Sequence, residues 1–348
     1  MAEQKNNLPR HLLVLRASAM GDVAMLPHAV RALKSAYPDI RITVATRKQF
    51  EPFFDGVDVA LMPLDYKQTH HGFRGIVEFV RQVRRCGVDA VADTHFVIRS
   101  ILVSAMLRLM GIRVAHIRKG KVEKWFRMGY SRADAVPLKH SVVRYCDTFR
   151  RLGFVFDDPA PITLRPQLAN PAGEKPAGER WVGFAPFSAH DGKTYPADMR
   201  GEVVALLAAR FERVFLHSGG GRERDEVIAI AAKYPNVTAV YELLGGDLRR
   251  EIALLSHLDC VVSMDSLVMH LCALTATPTV TVWGATHPEF GFTGYGSPAE
   301  GRLQVELPCR PCSTYGKKPC KYGDVRCLRA ITPQMIADKV SLLLDNNP

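Results

Sequence analysis

Four short constellations carry side chains able to do polar chemistry, and each follows a run of apolar residues. The first is Ser18-Ala19-Met20-Gly21-Asp22. Gly21 lets the backbone turn tightly. Asp22 then falls at the start of the next helix, at a strand's carboxyl end, where an Asp also suits a helix N-cap. The second is the polar loop 188–196 (SAHDGKTYP), whose Lys193 offers a point charge to a phosphate; the ordinary fate of a lysine is a solvated surface. The third is Ser218-Gly219-Gly220-Gly221-Arg222-Glu223, a turn able to present N–H groups to a phosphate. It has neither GxGxxG nor GK[ST], and any tight strand-to-helix turn would use glycine. The fourth is 263–270 (SMDSLVMH). Asp265 and Ser266 end a strand and open a helix whose amides and dipole suit a diphosphate. His270 lies about one turn further along the same side, where a core histidine would also sit. Residues 284–288 (GATHP) form a further small-residue loop containing Thr286.

These groups must be positioned by the elements around them. Residues 11–16 read as a buried strand. Residues 22–37 read as a helix with Val23, Leu26, Val30 and Leu33 at helical spacing, stopped by Pro38. Strands are expected at 40–45, 57–64 and 89–94, and a helix at 73–86 with its arginines opposite an apolar face. Residues 165–180 are rich in Pro, Ala and Gly without periodicity and read as a linker. The alternation restarts with strands at 181–187, 213–218, 260–264 and 279–283, and helices at 199–211, 222–233, 247–257 and 333–344. The expectation is an α/β chain of two doubly wound domains, residues 1–165 and 181–332, joined by 166–180 and closed by a helix within 333–348. Ligands of such sheets bind at the carboxyl ends of strands, and a pair of domains offers a central cleft.

The 348 residues, 47% hydrophobic and 23% charged, suit a globular protein rather than a disordered one. The formal net charge of +11 raises the local concentration of anionic partners. The first ten residues are polar, without the apolar core of a signal peptide. The longest apolar stretches, 101–114 and 261–282, contain Arg108, Arg113, Asp265 and His270 and fall short of the ~20 clean residues of a membrane span. A cytoplasmic protein is expected, free to touch a membrane surface. Residues 113–132 concentrate Arg113, Arg118, Lys119, Lys121, Lys124, Arg127 and Arg132 against Glu123, with Trp125, Phe126 and Tyr130 interleaved. This reads either as a solvated amphipathic helix or as a surface for sugars and headgroups. No nucleic-acid motif accompanies it.

Taken in order, the motifs resemble those of the ADP-heptose:lipopolysaccharide heptosyltransferases, glycosyltransferase family 9. That family reads S-x-x-G-D, K-x-W-P, G-G-x-x-E, D-[ST]-G-x-x-H and G-x-T-x-P. This chain has Ser18 to Asp22, Lys193-Thr-Tyr-Pro196, Gly219 to Glu223, Asp265-Ser266-Leu-Val-Met-His270, and Gly284-Ala-Thr286-His-Pro288. Leu267 replaces the family glycine and Tyr195 the family tryptophan. The resemblance implies the two-Rossmann GT-B fold and inverting transfer of heptose from ADP-heptose to an inner-core lipopolysaccharide acceptor. No catalytic cofactor and no nucleic acid would be involved. It gives Asp22 the role of base and Lys193 that of neutralising the leaving diphosphate, aided by the amides of Ser266 and Leu267. Glu223 would bind the ribose, with Ser18, Gly21, Gly220, Asp265, His270 and Thr286 around the donor. Lys119, Lys121, Lys124 and Arg127 would meet the anionic glycolipid at the inner face of the membrane. A nucleotide-sugar epimerase and a non-catalytic sugar-nucleotide or glycan-binding protein are the competing readings.

Cys86, Cys146, Cys260 and Cys272 read as core thiols. Cys309, Cys312, Cys320 and Cys327 are spaced C-x2-C-x7-C-x6-C in a loop with little core of its own, so something should staple it. Four thiolates around a structural zinc would do so; small free thiols in a family-specific insertion are the alternative.

Overall fold

The computed structural model describes residues 8–128, 136–164 and 169–346. The chain forms two compact units, one of residues 1–119 and 141–160, the other of 120–140 and 161–348.

In the first unit, β1 (His11–Leu15) leads into α1 (Met20–Ala24) and α2 (Leu26–Ala36). Then come β2 (Arg41–Thr46), β3 (Ala60–Pro63), α3 (Gly72–Arg85), β4 (Ala90–Asp93), α4 (Ile98–Leu109) and β5 (Arg113–His116). The short α5 (Lys121–Phe126) clusters with the second unit, and α6 (Ser141–Arg150) returns to the first. The strands are all parallel, in the order β3-β2-β1-β4-β5. β1 is buried along its whole length, as a central strand covered on both faces must be. The helix expected at 22–37 is two helices. Pro27 falls at the start of α2, where its missing N–H costs nothing.

The second unit runs β6 (Trp181–Ala185), α7 (Ala197–Ala208), β7 (Arg213–Leu216), α8 (Arg222–Ala231), β8 (Val237–Ala239), α9 (Val240–Leu244) and α10 (Leu248–Leu255). It continues with β9 (Cys260–Met264), α11 (Leu267–Thr275), β10 (Thr279–Val282), β11 (Arg302–Leu303), α12 (Arg326–Arg329) and α13 (Pro333–Asp345). Its six parallel strands are ordered β11-β10-β9-β6-β7-β8, the doubly wound arrangement. Ile336, Ala337 and Val340 of α13 are fully buried with Val262 and Met264 of β9, so the terminal helix completes this core.

Within the stretch read as a linker, Lys175 donates to Asp259 at 2.6 Å, and just before it the Leu164 amide donates to the Leu274 carbonyl. Residues 165–168, at its start, lie outside the described residues, as do Tyr130 and Arg132 of the basic stretch. Cys86 is exposed, whereas Cys146, Cys260 and Cys272 are buried as expected. Among the described residues no helix is long and apolar enough to cross a membrane.

Candidate active site

Each sheet reverses its winding beside its first strand, between β1 and β4 in one unit and between β6 and β9 in the other. Helices leave on opposite faces there, so the strand ends are left open as a crevice. The polar groups of the sequence gather at these two points.

In the first unit, Arg16 follows β1. It is 5% exposed and donates to the Thr94 carbonyl beyond β4, tying the two sides of the switch together. It also pairs with the Asp22 carboxylate. Burial works against the Arg16 charge, but Asp22 and Tyr145 more than offset it and hold the guanidinium firmly protonated. Asp22 is not the N-cap of α1. It sits in the first turn and accepts from the Ala19 amide at 3.4 Å, and its side chain stays about one-third exposed (32%). It is thus a carboxylate held by a fixed cation and open to solvent on another side.

Ser18 Oγ lies 3.1 Å from His95 Nε2. Burial, with Arg16 and Lys119 nearby, pushes His95 down to about 4, so the ring is neutral near pH 7. Asp93, wholly buried, accepts from the amides of His95 and Phe96, from Ser100 Oγ and from His116 Nδ1 at 3.2 Å. Those amide bonds help hold Phe96 at φ 46°, left-handed for a residue with a Cβ, with its ring 5.1 Å from His116. Arg16, Asp93 and His95 were not singled out from the sequence. The signal was there: D-T-H directly after an apolar run, and an arginine closing a buried strand.

In the second unit, Lys193 Nζ approaches Asp265 Oδ2 at 3.3 Å, both side chains mostly buried at 14% and 9% exposed. Thr286 donates to the same oxygen at 2.8 Å, and Ser188 Oγ to the Asp265 carbonyl at 3.0 Å. Ser266 is the N-cap of α11 and Leu267 its first residue, both partly exposed. His270 is buried one turn on. Glu223 accepts from the Gly219 amide at 2.9 Å and pins the glycine turn, with Gly220 between them. Tyr195, in place of the family tryptophan, is a core residue: it is fully buried and donates to the Ile331 carbonyl at 2.6 Å.

The basic residues lie in different local surroundings. Lys119 belongs to the first unit, near His95. Gly120, at φ 62°, then turns the chain away through a conformation that costs glycine little. Lys121, Val122, Trp125 and Phe126 line an open apolar recess. Lys124 is turned inward, its ammonium 4.0 Å from the centre of the Phe292 ring. Arg127 lies near His287, a ring that burial chiefly, with Arg310, pushes down to about 4.

The zinc expectation concerns Cys309, Cys312, Cys320 and Cys327, whose thiols lie near enough to act on one another's charge. Among the described residues no group of three or more His, Cys, Asp or Glu side chains is placed to hold a metal ion. Cys327 is drawn into the hydrophobic core, Cys312 faces the Ala285 carbonyl at 3.8 Å, and Cys320 faces Asp324. The staple is Arg310. Fully buried, it donates to the carbonyls of Gly284, Val305 and Thr286. The loop it anchors supports the site, because Gly316 lies against the aliphatic stem of Lys193.

Residues 76–323 match the family model described as glycosyltransferase family 9 (heptosyltransferase). Lipopolysaccharide heptosyltransferase 1 of Pseudomonas aeruginosa is 23% identical over 96% of this chain and 98% of its own. Among solved structures, a family 9 glycosyl transferase from Veillonella parvula superposes with a TM-score of 0.71 at 16% identity, covering 97% of this chain and 98% of that one. The E. coli heptosyltransferase WaaC with ADP gives 0.64 at 18%, covering 96% and 99%. With two doubly wound sheets and the family's motifs at both switch points, the chain belongs to glycosyltransferase family 9, the heptosyltransferase family, and is a glycosyltransferase of the GT-B class.

Proposed function

We propose that the protein transfers heptose, with inversion, from ADP-heptose to an inner-core sugar of a lipid A-linked acceptor. The observation that carries this is Asp22: a partly exposed carboxylate at the carboxyl end of β1, fixed by the buried Arg16. The donor follows from the family, from the ADP bound by WaaC and from the name of the Pseudomonas relative.

Asp22 takes the proton from an acceptor hydroxyl as its oxygen attacks the anomeric carbon from the face opposite the diphosphate. The bond from that carbon to the diphosphate breaks, and the configuration inverts. Lys193 and the amides that open α11 receive the charge on departing ADP. Asp265 keeps Lys193 in place and is itself held by Thr286. Glu223 offers carboxylate oxygens to ribose hydroxyls, and His270 closes the donor side. Proton and charge are both taken up by protein groups, so this step asks for no cofactor. On this reading the first unit takes the acceptor and the second the donor. The reaction then occurs at the cytoplasmic face of the inner membrane, with Lys119, Lys121 and Arg127 offering positive charge to the glycolipid.

The test is incubation of purified protein with ADP-heptose and a heptose-free lipid A acceptor bearing inner-core sugars, read by mass spectrometry. A product one heptose heavier, with stoichiometric ADP, is expected. Conversion of ADP-heptose without acceptor would favour an epimerase instead, and ADP-heptose binding with no turnover a binding protein.

A further inference from the structure

Helix α4 is apolar on both sides. Ser100, Val103, Ser104 and Leu107 face the core of the first unit. On the outside, Ile98 is 86% exposed and Leu109 89%, with Ile101, Ala105 and Met110 also exposed. Positions 98, 101, 105 and 109 follow the helical repeat and form one stripe, about 16 Å long at 1.5 Å per residue. A soluble helix ordinarily turns charged groups outward along such a line, and a continuous apolar strip left in water marks an interaction surface.

The surroundings identify the partner. Helices α3 and α4 pack together and carry six arginines, Arg74, Arg81, Arg84, Arg85, Arg99 and Arg108, against one acid, Glu78. Glu78 is already shared between Arg81 and Arg85. Phe73, at the start of α3, is exposed as well. A second copy of the chain on this stripe would bring two sets of arginines together with one acid each, a like-charge contact. An anionic lipid surface meets the cations with opposite charge and the stripe with acyl chains, as interfacial helices do.

We propose that α4, flanked by the arginines of α3, seats the first unit on an anionic bilayer surface. The stripe begins at Ile98, five residues after Asp93 and three after His95, which contacts Ser18. A glycolipid sugar could therefore reach the strand ends of this unit while its lipid stays in the membrane. The inference rests on the glycolipid-acceptor reading and deepens it.

The experiment uses the full chain and its triple variant Ile98→Gln, Ile101→Gln, Leu109→Gln. Both are co-sedimented with vesicles of phosphatidylglycerol and phosphatidylcholine, and with phosphatidylcholine alone. The wild type should bind the anionic vesicles, more weakly as salt is raised, and not the neutral ones. The triple variant should bind at least about tenfold more weakly, since three large side chains no longer gain burial. Its melting temperature and its rate on a delipidated, soluble acceptor saccharide should equal those of the wild type. Wild-type failure to sediment, or a triple variant that sediments like wild type, overturns the proposal. So does a wild-type dimer that the substitutions dissolve without changing vesicle binding, which assigns the stripe to a second copy. Loss of transfer to every acceptor by the wild type, with vesicle binding intact, would instead sink the heptosyltransferase reading alone.

Discussion

The two units solve the same problem with opposite exposure. Both place a cation and a carboxylate together at the switch point of a parallel sheet. In the first unit the cation, Arg16, is buried and the carboxylate, Asp22, is open to solvent. In the second both partners are mostly withdrawn, and Asp265 is the more buried one, bound to Lys193 and Thr286. A carboxylate with an open side can exchange a proton with a substrate. One enclosed by a lysine and a threonine is better placed to hold them. The same pair of charges thus leaves its carboxylate open in one sheet and enclosed in the other.

The sharpest way to break this contrast is to remove each carboxylate's charge. Asp22→Asn keeps the size and the acceptor for the Ala19 amide, and should lower turnover by ~10²–10⁴-fold with ADP affinity unchanged. Steady-state rates with calorimetric titration of ADP check it; near wild-type turnover would reduce Asp22 to a helix-end residue. Next, Lys193→Ala should cost roughly 10²-fold in turnover and weaken ADP as well, as expected for one stabiliser of a leaving anion. Asp265→Asn leaves an oxygen for Thr286 and should cost less, about tenfold, because only the hold on Lys193 is loosened. If it matches Asp22→Asn, the second carboxylate does chemistry and the contrast fails.

The smallest effect is on stability against pH. Burial brings His95 in the first unit, and His140 and His287 in the second, down to about 4. Unfolded histidines protonate near 6.5. Between those values the unfolded chain binds more protons, so this stability is present above about pH 6.5 and lost as pH falls toward 4. Urea unfolding at pH 7 and pH 5 should show the loss. His140→Gln should flatten it by up to about 1.4 kcal/mol per pH unit. An unchanged slope would show that His140 is not held neutral.

Much of this was legible in the sequence, for physical reasons. β9 was read at its observed bounds, Cys260–Met264, and α3 to within one residue at each end, because a buried strand and a one-sided helix leave clear patterns. The break between α1 and α2 was missed because apolar spacing continues across it; Pro27 was the local signal. β8 and β11, of three and two residues, are too short to show any period. Asp22 and Lys193 stood out because they are charged residues in short polar stretches just after apolar runs. Arg16 and His95 did not, because their contacts run across β1 and β4 between residues nearly eighty apart in sequence. Arg310 was hidden among cysteines that drew attention to sulfur chemistry, whereas the loop is held by carbonyl groups.

The contact between Gly316 and Lys193 bears on how this loop can drift. Gly316 sits at φ 76°, and a Cβ there would fall 2.5 Å from Lys193 Cγ. Its neighbours Lys317 and Lys318 are exposed and meet no such wall. In a saturation library selected for transfer, those two should accept most of the alphabet while position 316 tolerates glycine alone. The permitted spelling of a surface loop would then be set by the stem of a lysine more than a hundred residues away.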